Sequence, residues 1–209
     1  MPDYAVFGGR LRSALRMAGL SPLPPAGTPD WRLRVVRGPP PADAGAPVAA
    51  LDDGVLRVRL FARAGGWRLV FDDTGTYDVA AAGEVVWYPR RAAPRELVQA
   101  DVLGRVFALL LALRGWLPLH ASAVTLGGCG VAFLAPRSHG KSTLAAALAL
   151  AGGRLAGDDM AVVEPGPPVH LLPGVPLPRL DADASLALHD RGLRGAPPSP
   201  CKRAVACVP

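Results

Sequence analysis

Residues 134–143 read L-A-P-R-S-H-G-K-S-T, between an apolar, strand-like run at 131–134 and an alanine-rich run after it. No other segment constrains the chain so strongly. Strand, tight loop, Gly-Lys-Ser and helix in that order make a relaxed form of the phosphate-binding loop. A tight turn there lets successive backbone N–H groups converge on phosphate oxygens, and the start of the helix adds the positive end of its dipole. Lys141 supplies a mobile cation, and the Ser142 hydroxyl is placed to hold Mg²⁺. The stretch expected to contact nucleotide is Ala135, Pro136, Arg137, Ser138, His139, Gly140, Lys141, Ser142 and Thr143. His139 within it reads as a solvent-facing filler rather than a catalyst. Only two of the 23 basic residues are lysines, Lys141 and Lys202, and one of them stands where such a loop needs it. The strict pattern wants glycine where Ala135 stands, so the context carries the reading, including the acidic pair Asp158-Asp159 downstream.

The chain has 209 residues, half of them hydrophobic, which is room for one large or two small packed domains. Its net charge of +6 comes from arginines scattered along the chain, with no basic stripe interleaved with aromatics, so no nucleic-acid partner is expected. A basic surface can still attract an anionic nucleotide. The longest apolar run, 106–113, is far short of the roughly 20 residues that cross a bilayer. The opening M-P-D-Y-A-V-F-G-G-R lacks the features of a secretory signal, so a cytoplasmic location and no membrane partner are expected. Cys129, Cys201 and Cys207 are odd in number and lack the paired short spacings of a zinc site, and read as reduced thiols.

Residues 1–93 read as a β-rich module, with β-prone segments at 31–36, 55–61, 67–71 and 84–88 and turn signals at Gly65-Gly66 and Asp72-Asp73-Thr74-Gly75. The aspartates at 52, 53, 72 and 73 suit solvated turns. Residues 94–115 read as a connecting helix, with Pro94 near its first turn, apolar positions at Val98, Val102, Val106, Leu109, Leu110 and Leu113, and Gly115 as its stop. Residues 116–194 alternate strand, turn, strand, loop, helix, strand, which predicts an α/β core around the phosphate loop. The tail, 195–209, is proline-rich and shows little helix or strand pattern.

Three segments then line up: L-H-A-S-A-V at 119–124, A-P-R-S-H-G-K-S-T at 135–143 and G-D-D-M-A-V-V at 157–163. Together they resemble the HPr serine kinase/phosphorylase family, and more closely its smaller relatives in bacterial peptide-biosynthesis clusters, including the lasso-peptide kinases. The likeness covers about residues 116–180. It implies a P-loop fold of the phosphoenolpyruvate-carboxykinase-like type behind the β-rich module, and ATP- and Mg²⁺-dependent transfer of the γ-phosphoryl group to a serine of a peptide or protein, such as a lasso precursor. By that resemblance Lys141 cradles phosphates, Ser142 and Asp159 hold Mg²⁺, Asp158 accepts the serine proton, and His120 orients the catalytic carboxylate. These roles suit phosphoryl transfer, which needs positioning, charge neutralisation and a base. Arg179 either reaches a phosphate or is a surface arginine. Ala135, Ser138 and His139 depart from the relatives, with roughly 1–2 kcal/mol of backbone strain where a left-handed conformation is needed. Thr143 replaces the glutamate of HPr kinases, and the segment downstream of the acidic pair in the bifunctional enzymes is not found, which counts against phosphorylase activity and against HPr as substrate; whether the reaction reverses is left open. The other function the residues allow is a catalytically impaired nucleotide-binding regulator or scaffold. A transporter ATPase is disfavoured by the lack of an L-S-G-G-Q-like signature. The oligomeric state, a homo-oligomer included, is left open.

Overall fold

The computed structural model describes residues 1–42, 45–54, 56–136 and 138–175, and the backbone of 204–207. Arg137 and Arg179 lie outside the described residues. Two compact units form: residues 1–4, 9–17 and 22–114 make the first, and 5–8, 18–21 and 115–209 the second.

Most of the first unit is one nine-stranded mixed sheet. Its strands are β1 (Asp3–Val6), β2 (Gly9–Ser13), β3 (Pro22–Leu23), β4 (Trp31–Val35), β5 (Ala49–Asp52), β6 (Arg57–Arg63), β7 (Gly66–Phe71), β8 (Gly75–Ala80) and β9 (Glu84–Pro89), in the order β3-β1-β2-β4-β9-β8-β7-β6-β5. Strands β5 to β9 form an antiparallel meander, because short turns can only reverse the chain. Gly65 makes its turn at φ +80, and a Cβ on Gly66 would lie 2.2 Å from the Val79 carbonyl oxygen. The alternation of period two puts Leu33, Leu69, Phe71, Tyr77, Val79, Val85 and Trp87 in the core.

The helix expected over 94–114 is α1 (Arg95–Asp101) and α2 (Phe107–Leu113), joined by a π-helical turn over Val102–Val106. That turn adds a residue to the i to i+4 ladder and so rotates α2 about the helix axis relative to α1. Phe107, Leu110 and Leu111 are therefore buried, while Leu109 and Leu113 of the predicted stripe move to partly exposed positions. Phe107 packs edge-on against Trp31 at 5.4 Å.

Asp3, buried in this unit, accepts from Arg12 Nε at 2.8 Å and from Arg10 Nη1 at 3.0 Å. The Arg12 bond, opposed by burial and reinforced by Arg10, holds its carboxyl well below the usual value of 3.8. A group whose folded pKa is depressed stabilises the fold above its unfolded pKa, and that contribution fades as pH falls towards the folded one. The urea midpoint of the chain is thus expected to fall below about pH 4, and Asp3→Asn to lower the neutral-pH midpoint and flatten the acid limb. An unchanged acid limb in that variant would remove Asp3 as its cause.

The second unit holds β10 (Leu117–Leu119), β11 (Ala121–Leu126), β12 (Cys129–Leu134), α3 (Lys141–Leu150), β13 (Arg154–Gly157), β14 (Ala161–Glu164), β15 (His170–Leu172) and β16 (Ala204–Cys207). They form a sheet β13-β11-β12-β16 and a sheet β10-β14-β15. The expected P-loop α/β core, HPr-kinase-like or phosphoenolpyruvate-carboxykinase-like, is overturned here. The described residues are 42% strand and 17% helix, and β11 is antiparallel to both its neighbours, β12 and β13. An α/β core has mostly parallel strands with helices on both faces. Instead, α3 covers one face, through Val124, Ala145 and Leu155. The other face, built of Ala121, Ala123, Ala132 and Ala156, packs with Ala161 and Leu171 of the second sheet. The physical reason is local: Gly127 and Gly128, at φ +55 and +81, close a tight hairpin that forces β11 and β12 antiparallel. The tail read as irregular contributes β16, parallel to β12. Among the described residues no helix is long and apolar enough to cross a membrane, and Cys129 is a free thiol.

Candidate functional site

The loop after β12 reaches α3 through two left-handed residues, Ser138 at φ +66 and Gly140 at φ +77. Gly140 is the N-cap of α3 and offers no side chain, so the first-turn N–H groups receive no side-chain cap bond. The expected strain falls on Ser138, while His139 keeps an ordinary φ. Ser138→Gly is expected to stabilise the chain by about 0.5–1 kcal/mol, the left-handed strain relieved less the extra freedom of unfolded glycine. Gly140→Ala is expected to destabilise it by a similar amount, through strain alone, because a Cβ there meets nothing within 4 Å. Thermal midpoints moving in opposite directions would bear this out, and a loss in both would refute it.

Lys141 opens α3 and is buried, at 9% exposure. Its Nζ donates to the Ala135 carbonyl at 2.7 Å and the Pro136 carbonyl at 3.0 Å, so the ammonium lies over its own loop. The next residue turns the other way: Ser142 Oγ donates to Asp158 Oδ1 at 2.9 Å, across 16 residues of sequence. Ser122 Oγ donates to the same oxygen at 2.5 Å, and the two hydroxyl oxygens are 3.4 Å apart. Asp158 is 5% exposed and Ser122 1%. The backbone of 156–158 is fixed by residues 174–175: Gly174 N–H donates to Ala156 O at 2.7 Å, and Asp158 N–H to Val175 O at 3.2 Å.

Asp159 sits in the left-handed region at φ +67, which aspartate tolerates better than most residues. That conformation places the two adjacent carboxylates in different surroundings. Asp158 is buried against the hydroxyls, whereas the Asp159 side chain is 40% exposed with His120 Nδ1 3.5 Å from its Oδ1. His120 Nδ1 also lies 3.1 Å from the Asp159 carbonyl oxygen. A carbonyl only accepts, so the tautomer making that bond carries its proton on Nδ1. The structure thus brings His120 to Asp159, not to the Asp158 that it was expected to orient. His120 is exposed because it stands where the chain leaves β10 of one sheet for β11 of the other.

Ser122 is the site residue that the sequence did not reveal. It lies two residues after His120, but a serine between alanines carries no signal of a buried partner 36 residues away. Among the described residues no group of three or more His, Cys, Asp or Glu is placed to hold a metal. Mg²⁺ asks for less, being bound by one or two carboxylates together with water and substrate phosphates. The Ser142 hydroxyl and the Asp158 carboxylate, both hard oxygen donors 2.9 Å apart, fit it. Compared with protein-family models, with curated proteins and with solved structures, the chain matches none.

Proposed function

We propose that this chain is an ATP- and Mg²⁺-dependent kinase that phosphorylates a serine of a peptide or protein, as the resemblance to HPr-kinase-like proteins implies. The observation that carries the reading is the 2.9 Å bond from Ser142, directly after Lys141, to Asp158. It joins the loop to the acidic pair, which the sequence could only place in order. Ser142 and Asp158 would hold Mg²⁺, which when bound supplies charge neutralisation on the phosphate oxygens. Lys141 would exchange the carbonyls of Ala135 and Pro136 for phosphate oxygens, with the loop N–H groups beside it. Asp159, the exposed carboxylate, would take the proton of the acceptor hydroxyl as its oxygen bonds to the γ-phosphorus and ADP leaves; His120 would orient it. This reverses the division between the two aspartates expected from the sequence, and it accords with the contacts each one makes.

One observation favours the second reading, a nucleotide-binding regulator or scaffold: the Lys141 ammonium is already satisfied by its own loop. Turnover separates the two. The protein is incubated with γ-labelled ATP, Mg²⁺ and serine-bearing precursor peptides, beside an equilibrium ATP titration. Label on a peptide serine supports the kinase. Tight ATP binding with no transfer to any peptide supports the regulator, and no ATP binding defeats both.

A further inference from the structure

We propose that Ser122 is a positioning residue that presents the Ser142 oxygen, as a lone-pair donor, to a divalent cation; the inference rests on the kinase reading above. Proton counting fixes the direction of each bond. A serine hydroxyl has one proton to donate, and an ionised carboxylate only accepts. Ser142 and Ser122 both lie within bonding distance of Asp158 Oδ1, at 2.9 and 2.5 Å, so both protons point there. The 3.4 Å approach of the two hydroxyl oxygens then carries no hydrogen. Ser142 Oγ keeps its lone pairs directed away from Asp158, which is the form in which a hydroxyl can ligate a hard cation.

The position of Ser122 supports a role beyond filling space. It is fully buried in β11, where its neighbours Ala121, Ala123 and Val124 are apolar core residues. A buried hydroxyl costs about 1–3 kcal/mol unless it is bonded, so alanine would serve packing as well. On the α3-facing side of β11, shared with Val124, its hydroxyl fixes one oxygen of Asp158 from beneath while Ser142 meets the same oxygen from the helix. Partners that orient a ligand in this way typically carry 10–100-fold in metal affinity.

The test uses the full chain and a fluorescent ATP analogue, titrated in EDTA and across a Mg²⁺ series. For the native protein, Mg²⁺ is expected to tighten binding of the analogue. Ser122→Ala is expected to leave affinity in EDTA unchanged and to raise the Mg²⁺ concentration for half-maximal tightening by about 10–100-fold, and Ser122→Thr, which restores the hydroxyl, to recover most of it. An unchanged Mg²⁺ requirement in Ser122→Ala overturns the proposal, as does an equal loss with and without Mg²⁺ that threonine does not restore. Should Ser122→Ala fail to melt cooperatively, Ser122→Cys, nearly the same size and a weak donor, takes its place under the same criteria. If the native protein binds no analogue in either condition, it is the kinase reading that fails, a pattern distinct from a native Mg²⁺ response that Ser122→Ala shares.

Discussion

Asp159→Asn is expected to slow phosphoryl transfer by about 10²–10⁴-fold, the usual contribution of a positioned base, while ATP affinity stays near that of the native protein. Asparagine has the same shape and is as tolerant of the left-handed backbone at φ +67, so the turn holding both residues survives. What changes is the ability to accept a proton at the exposed position beside His120. Asp158→Asn should behave differently. Its Oδ1 takes the hydroxyl protons of Ser122 and Ser142, so loss of charge there should weaken Mg²⁺-dependent nucleotide binding as well as the rate. Single-turnover rates measured beside equilibrium titrations separate these effects, because a base acts on the chemical step and a metal ligand also acts on binding. Should Asp159→Asn transfer at the native rate, and Asp158→Asn bind normally yet fail to transfer, the base is Asp158.

The second large effect concerns stability. Arg68 is fully buried on β7, and its guanidinium is held by both oxygens of Asp78, at 2.5 and 2.7 Å, and by the Pro41 carbonyl. Asp78→Ala would strand that cation away from water, a change that typically costs about 3–5 kcal/mol. The Asp78 side chain keeps 26% exposure, so some water could replace it and the lower figure, about 3 kcal/mol, is expected. Arg68→Met removes the charge along with its partner's obligation and keeps the aliphatic stem, so it should cost clearly less. Urea unfolding monitored by tryptophan fluorescence gives the comparison, since three of the four tryptophans, Trp31, Trp67 and Trp87, lie in the same unit as the pair. Equal losses in the two variants, or less than about 1 kcal/mol for Asp78→Ala, in the range of exposed pairs, would show that the pair does not bury an effective charge.

Much of this molecule is local, and local structure was legible. Gly65-Gly66, the turn before Gly75 and Gly127-Gly128 set reversals within a few residues, because glycine adopts positive φ without strain. Alternation fixed β4, β7 and β9 to within a residue or two of their ends, and Pro94 and Gly115 bounded the helical stretch. Strands β1, β2 and β3 were not legible, since none of them alternates three apolar residues with polar ones as the short β4 does. Nor was the π-helical turn, which shifts the buried face halfway along a stretch whose apolar spacing looks continuous.

The candidate site divides in the same way. The order of its parts is written in the chain: histidine, lysine with its serine, then two aspartates, each beside a strand or helix start that a window of ten residues can identify. The Gly127-Gly128 hairpin sets β12 antiparallel to β11, but only tertiary packing brings β13 antiparallel onto the other edge of β11, which makes the described part of this unit two packed sheets with one helix rather than an α/β core. Packing also brings Asp158 to Ser142 and Ser122 while Asp159 meets His120. Propensity and turn geometry act over a few residues and are encoded there. Which strand neighbours which, and which of two adjacent carboxylates turns inward, is settled by the packing of small alanine side chains between sheets and by one left-handed residue, and neither is visible until the chain has folded.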